Sequence, residues 1–134
     1  MGDVLVLDTH ALIWWLCKPS QLSARARKAL AVTAEQQRLF VSAISLLEIA
    51  TLVRRGHLQF NVPVDVWLGD FRKLPEFRIT PVNADIAQLA GTYADDMPGD
   101  PANRLIAATA TTLMAPLVTA DEKLRSSKLV ETLW

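Results

Sequence analysis

The chain has one cysteine, Cys17, and only two histidines, His10 and His57. No internal disulfide can form, so its own core must hold the fold, and a reducing, cytoplasmic setting is expected. Cys17 itself reads as a buried packing residue. One cysteine and two distant histidines cannot supply the usual Cys/His ligands of zinc. Nor do they make a Ser–His–Asp or Cys–His nucleophile set. A glycine-rich phosphate loop is also missing, since Gly99 stands in a turn without P-loop spacing. Neither sign of charge is in excess, with fourteen basic and fourteen acidic residues. That balance argues against a protein that coats nucleic acid. It is compatible with a nuclease whose acids lie inside the site and whose bases surround it. No uninterrupted apolar run approaches the roughly 18 residues of a membrane span. No basic stretch followed by a long apolar one marks a secretory signal at the N-terminus, so none is expected.

What the sequence does contain suits one globular domain, 1–134. Apolar residues make up 51% of the chain and charged residues 21%, enough for a single packed core. Val4 to Leu7 is a continuous apolar run, the pattern of a strand buried on both faces. A helical pattern follows from Asp8-Thr9 through Leu16 and stops near Pro19. Ser23 caps a helix from Ala24 to about Thr33. Leu39-Phe40-Val41 reads as a second strand, and Ser42 or Ser45 caps a third helix that Gly56 ends. Val62 to Leu74 reads as a helix with Pro63 in its first turn, and Phe77 to Val82 as a strand weakened by Pro81. Asn83 caps a helix from Ala84 to Tyr93, and Asp100-Pro101 opens a long alanine-rich one. Leu117-Val118-Thr119 is a fourth strand, Asp121 to Arg125 a short helix, and Leu129-Val130 a candidate edge strand. Strands and helices alternate throughout, which predicts an α/β fold with a mostly parallel sheet and helices on both faces.

Four acids stand out against this frame: Asp8 at the end of the first strand, Glu48 in the third helix, Asp100 at the mouth of the long helix, and Asp121 after the fourth strand. Open α/β sheets place ligands at strand carboxyl ends, and converging carboxylates suit the hard cations Mg²⁺ or Mn²⁺. Such a site serves metal-assisted cleavage of a phosphodiester by water, with no side-chain nucleophile. Each acid also has a purely structural reading. Asp8, Asp100 and Asp121 can be helix N-caps, and with Ser45 as N-cap Glu48 would be the N3 partner of a capping box. The placement gains weight because it recurs after three strands. Thr9, Ser45, Arg104 and Thr119 stand beside the acids as candidates to support them or touch substrate. His10, beside the first acid, could touch substrate or support the site, but a packed or surface role is the favoured reading; His57 reads as a loop residue without a role. Arg54, Arg55, Arg104 and Lys123 could border a phosphate groove or simply face solvent. The tryptophans fall on helical stripes and read as core or interface rather than base-stacking platforms. A small-molecule phosphatase on a similar sheet would need an Asp-x-Asp pair, which is absent.

Four blocks carry a resemblance: 7–15 (Leu-Asp-Thr-His-Ala-Leu-Ile-Trp-Trp), 42–50 (Ser-Ala-Ile-Ser-Leu-Leu-Glu-Ile-Ala), 99–110 and 117–122. In this order and spacing the chain resembles PIN-domain proteins, and is most similar to VapC toxins of bacterial VapBC toxin–antitoxin pairs. The resemblance implies a three-layer α/β/α sandwich and a cytoplasmic, Mg²⁺- or Mn²⁺-dependent endoribonuclease. It also implies a VapB-like antitoxin that covers the active site, and a homodimer. Asp8, Glu48 and Asp121 match family metal ligands, Asp100 matches an acid common at the start of the long helix, and Thr119 matches a supporting hydroxyl. The apolar stripe Ile13, Trp14, Trp67, Leu68 and Phe71 is the expected antitoxin face, or in part core. One position departs from the pattern: the second acid of the family's Asp-Pro-Ala-Asp-Arg is Asn103 here. Asn keeps an acceptor oxygen but loses a charge, so metal binding and activity are expected to be impaired. That leaves a catalytically dead PIN module, binding RNA or a partner protein, as the alternative reading.

Overall fold

The computed structural model describes residues 3–134. Five strands form one parallel sheet: β1 (Leu5–Leu7), β2 (Leu39–Ser42), β3 (Phe77–Thr80), β4 (Leu117–Val118) and β5 (Thr132–Leu133), in the order β3-β2-β1-β4-β5. The chain lays down β1, β2 and β3 in one direction, then crosses to β4 and β5 on the other side of β1. The order therefore reverses between β1 and β4, and open α/β sheets bind ligands in the crevice at such a reversal.

Helices cover both faces: α1 (Thr9–Cys17), α2 (Ala24–Glu35), α3 (Ala43–Arg54), α4 (Val64–Phe71), α5 (Ala84–Thr92), α6 (Pro101–Thr112) and α7 (Glu122–Ser126). Strand β1 shows why three layers form. Leu5 and Leu7 join a core with Leu12 of α1, Leu30 of α2 and Phe71 of α4. Val6 points the other way, to Ile106, Ala107 and Ala110 of α6 and Leu124 of α7. This is the period-two alternation of a strand buried on both faces. The alanines of α6 let its backbone approach the sheet closely. Its outer side packs on α5 through Ile86, Ala90 and Ala108.

The helix ends follow local chemistry. Ser23 accepts from the Ala26 amide at 3.0 Å and Asn83 from the Ile86 amide at 2.9 Å, each satisfying a donor that the helix leaves open. Gly56 ends α3 at φ +74°, and the His57 and Gly56 amides return to the Leu52 and Val53 carbonyls. That pairing is a Schellman motif, for which glycine suits the left-handed position.

Four expectations shift. Helix α4 is shorter than 62–74, because Pro63 serves as N-cap without a side-chain bond and the chain turns at Lys73. Strand β5 lies at Thr132–Leu133 rather than 129–130; Leu129 is held in a turn on Ser127, and Val130 drops into the second core. Cys17 is exposed: it is the last residue of α1, and the core contacts of that turn come from Trp14, Trp15 and Leu16 instead. The stripe from Ile13 to Phe71 is mostly core: both of those residues are buried, and Trp67 stacks on Phe60 at 4.2 Å. No helix among the described residues is long and apolar enough to cross a membrane.

Candidate functional site

The crevice at the β1–β4 reversal holds a cavity of about 310 Å³. Its walls include Asp8, Glu48, Asp100, Asn103 and Asp121, together with Thr9 and His10. Four separate segments deliver the acids. Asp8 follows β1, Glu48 sits one turn into the helix after β2, Asp100 caps α6, and Asp121 caps α7 just beyond β4. The structure thus brings all four expected acids, and Asn103, to one place. Asp8 forms the buried floor at 7% exposure, Glu48 and Asp121 are half-buried, and Asp100 stands at the open rim.

Capping and site-building turn out to be compatible roles. Asp8 Oδ1 accepts from the Ala11 amide at 2.8 Å, and its Oδ2 accepts from the Thr119 hydroxyl at 2.5 Å. Thr119 Oγ1 in turn accepts from the Asp121 amide at 3.0 Å. This chain fixes the floor carboxylate against the segment that carries Asp121. Asp121 Oδ1 accepts from the Lys123 and Leu124 amides, and Asp100 Oδ1 from the Ala102 amide. Their second oxygens have no hydrogen-bond partner among the described residues. A carboxylate used as a cap at one oxygen keeps the other for a ligand.

Glu48 is held differently from the expected capping box. Ser42, not Ser45, caps α3, accepting from the Ile44 amide at 3.2 Å. Glu48 therefore lies past the first turn and cannot reach back to the cap. The Thr9 hydroxyl donates to Glu48 Oε1 instead. Thr9 Oγ1 also lies 2.9 Å from the buried Ser45 Oγ. A hydroxyl has a single proton to give. Thr9 is the donor towards both Glu48 and Ser45, so that one proton is shared between the two acceptors. Thr9 thus orients the carboxylate from behind.

Burial pushes the Asp8 carboxyl above the usual carboxylate range. The Thr119 and Ala11 donors and the nearby His10 oppose that shift, while the Asp121 charge adds to it. Burial likewise raises Glu48; Thr9 and His10 oppose the rise, and the Asp100 and Asp8 charges reinforce it. The acids thus feel one another. Among the described residues no Lys or Arg forms an ion pair with them. Four carboxylates around one hollow, with His10 beside them but no Lys or Arg partner among the described residues, leave a negative field that a cation relieves.

The donor set fits a hard divalent ion, since every candidate ligand on Asp8, Glu48, Asp100, Asn103 and Asp121 is oxygen. Among the described residues no three His, Cys, Asp or Glu side chains form a ready-made cage. Mg²⁺ needs none: it keeps several waters and takes one or two carboxylates directly. A cavity of about 310 Å³ has room for an ion with its water shell, at roughly 30 Å³ per water.

Arg104 does not face the cavity as expected. Its Nε donates to the Ala90 carbonyl at 2.8 Å, and its terminal nitrogens to the Tyr93, Met97 and Pro98 carbonyls at 2.5, 3.4 and 3.3 Å. The five-donor fork is spent on the loop that leads into Asp100. Arg54, Arg55 and Lys123 do not line the cavity either. His10 does, and its ring lies 5.8 Å from that of Trp14. His57 borders a separate apolar groove with Ile13, Trp14, Leu52, Leu58 and Phe60.

Known proteins resemble this chain both in sequence and in fold. The PIN domain family profile matches residues 5–128. Ribonuclease VapC22 of Mycobacterium tuberculosis is 36% identical over 124 residues, covering 92% of each chain. Among solved structures, VapBC2 from Rickettsia felis, bound to a promoter DNA fragment, matches at TM-score 0.72 and 18% identity over 97% of each chain. FitAcB from Neisseria gonorrhoeae matches at TM-score 0.66 and 22% identity, covering 98% of this chain and 97% of that one. These structural likenesses concern the fold. The profile and the VapC22 relative concern the sequence itself, and by both the chain belongs to the PIN domain family.

Proposed function

We propose that this chain is a VapC-like endoribonuclease that hydrolyses RNA phosphodiester bonds with the help of Mg²⁺ or Mn²⁺. One observation carries the reading: four carboxylates from four segments face one hollow at the sheet's reversal, without a Lys or Arg partner among the described residues. The VapC22 relative, named a ribonuclease, supports the substrate class.

In this reading Asp8, Glu48, Asp100 and Asp121 hold the cation, with Asn103 contributing an amide oxygen. The cation, when bound, lowers the pKa of water and offsets charge developing on the phosphate. The chain's own part is placement. Thr119 and Ala11 fix both oxygens of Asp8, so its remaining lone pairs point in set directions. The Thr9 hydroxyl holds one oxygen of Glu48. Both hydroxyls favour the ionised carboxylates that burial disfavours. If water adds to phosphorus and the P–O3′ bond breaks, the 3′-oxygen leaves and takes up a proton, which gives 3′-hydroxyl and 5′-phosphate ends.

A VapB-like antitoxin segment is the proposed partner for the groove beside Trp14, since apolar groups line it next to the acid cavity. Solved relatives of this fold include a toxin–antitoxin complex from Klebsiella pneumoniae.

The test is cleavage of single-stranded RNA by purified protein with Mn²⁺ or Mg²⁺, against EDTA and against Asp8→Asn. That variant keeps an oxygen for the helix cap and loses the charge. Metal-dependent cleavage lost in Asp8→Asn is expected; cleavage that persists in Asp8→Asn, or in EDTA, contradicts the proposal. Asn103 favours a second reading, a PIN module without activity, since it removes one charge from the hollow. Absence of divalent binding at millimolar concentration in calorimetry would support that reading instead.

A further inference from the structure

Trp14, on the wall of the acid cavity, has an aromatic neighbour outside it. The Trp14 ring, which lines the cavity, lies 5.9 Å from that of Trp134. With His10 on its other side, at 5.8 Å, this makes a run of three rings, all partly or fully accessible to solvent. Trp134 in turn walls a second cleft of about 430 Å³ with Arg25 and Arg125. The topology explains the meeting. Trp134 follows β5 and Arg125 sits on α7 beyond β4, both at the carboxyl side of the sheet where Asp8 and Asp121 lie. Arg25 comes from the first turn of α2.

Arg25 and Arg125 are exposed and have no hydrogen-bond or ion-pair partner among the described residues. Glu122 shares the cleft without pairing with either of them. Two guanidinium groups without a partner among the described residues therefore stand in one cleft. The acid cavity is negative, so it needs a cation to receive a phosphate; this cleft does not. A cleft with two unpaired guanidinium groups, next to an acid cavity and linked to it by aromatic rings, combines the two contacts that single-stranded nucleic acid uses: phosphate to arginine, and base on ring.

We infer that Arg25, Arg125 and Trp134 form a subsite for the flanking nucleotides of single-stranded RNA, with the strand running past Trp14 into the acid cavity. The inference rests on the ribonuclease reading for its substrate and adds where the strand lies outside the cleaved bond. The two arginines take phosphates, and Trp134 offers a face to a base. Stacking reads any base, so this subsite sets affinity and strand path rather than sequence.

The experiment is binding of a labelled single-stranded RNA oligonucleotide in EDTA, by fluorescence anisotropy across a salt series. Two lost phosphate contacts reduce the slope of log affinity against log salt by about 1.4, and weaken binding about 25-fold at 0.1 M salt. That result is expected for Arg25→Gln/Arg125→Gln, whose side chains are exposed and whose fold should survive. Arg72→Gln/Lys73→Gln removes the same charge from exposed positions at the end of α4 and should retain wild-type slope and affinity. Trp134→Ala should bind at least about 5-fold more weakly with an unchanged slope. Trp134 packs on the first core, so Trp134→Phe is the companion variant, and it should recover most of the affinity.

An unchanged slope in Arg25→Gln/Arg125→Gln overturns the subsite, as does an equal loss in the α4 control. An acidic protein segment as the true occupant gives the first of those results. The readout is independent of catalysis. RNA binding with the expected slope change but no cleavage in Mn²⁺ sinks the nuclease reading and leaves the subsite standing. Cleavage with unaltered binding in the arginine variant does the reverse.

Discussion

Asn103→Asp is the most informative single change in this chain. Asn103 is half-buried on the wall of the acid cavity, with no hydrogen-bond partner among the described residues. The change keeps size and shape and adds one negative charge. A unit charge about 4 Å from a divalent ion gains about 2 kcal/mol at the dielectric of water and about 8 kcal/mol at an effective dielectric of 20. The cavity is open and Asn103 only half covered, so the lower figure is the appropriate one. About 2 kcal/mol corresponds to roughly 30-fold tighter binding. Without metal the added charge works the other way, because Glu48 already feels Asp100 and Asp8 and a further neighbour repels it. Calorimetric titration of Mn²⁺ into both proteins reads the first effect, and thermal melts in EDTA the second. Asn103→Asp should bind Mn²⁺ roughly 30-fold more tightly, cleave RNA faster at limiting metal, and melt lower in EDTA. Affinities within twofold of each other would refute the reasoning, because they would mean that position 103 does not face the ion.

Three further outcomes follow from the same geometry. Burial holds Asp8 and Glu48 above the usual carboxylate range. The folded chain therefore binds those protons more tightly than the unfolded one, and stability falls as pH rises from the ordinary carboxylate range through the raised values. The Tm in EDTA should decline across that window and the decline should shrink in Glu48→Gln; a Tm that rises there more in the wild type than in Glu48→Gln contradicts it. Thr9→Val keeps the shape and removes the donor to Glu48, which at about 1.5–3 kcal/mol for a hydrogen bond to a charged group should weaken Mn²⁺ binding about tenfold or more, while Thr9→Ser restores it in the same titration. Arg104→Lys cannot reproduce four bonds to the Ala90, Tyr93, Met97 and Pro98 carbonyls. It should cost about 2–3 kcal/mol in urea unfolding, in line with breaking a buried network, and speed amide exchange in residues 93–99; unchanged exchange would show that the fork does not hold the loop.

Much of this architecture was legible because the signals were local. The caps at Ser23, Asn83 and Asp100 and the proline at 101 each start a helix, and the glycine at 56 ends one, where expected, because each acts on neighbours in sequence. The run Val4–Leu7 announced a strand covered on both faces, and Leu5, Val6 and Leu7 divide between two cores accordingly. The four acids were legible as a group because strand ends converge at the reversal of a parallel sheet. What was not legible depended on distant contacts. Glu48 looked like a capping partner until the cap fell on Ser42. Thr9 and Ser45 are 36 positions apart, and only the packing of α1 beside α3 joins them. Arg104 carries the same letters whether it grips a phosphate or a loop; the carbonyls around it decide. Trp134 and Arg25 meet only because β5 adds to the edge beyond β4. Cys17 was misread for the same reason, since burial of a helix's last turn depends on what packs beside it.

The most direct measurement is anomalous diffraction at the manganese edge from crystals of this protein equilibrated with millimolar Mn²⁺. A peak within about 2–2.5 Å of oxygens from Asp8 and at least one of Glu48, Asp100 or Asp121 is the expected result. Fully occupied waters there with no anomalous signal, or manganese bound only elsewhere on the surface, would contradict the reading of this cavity as a metal centre.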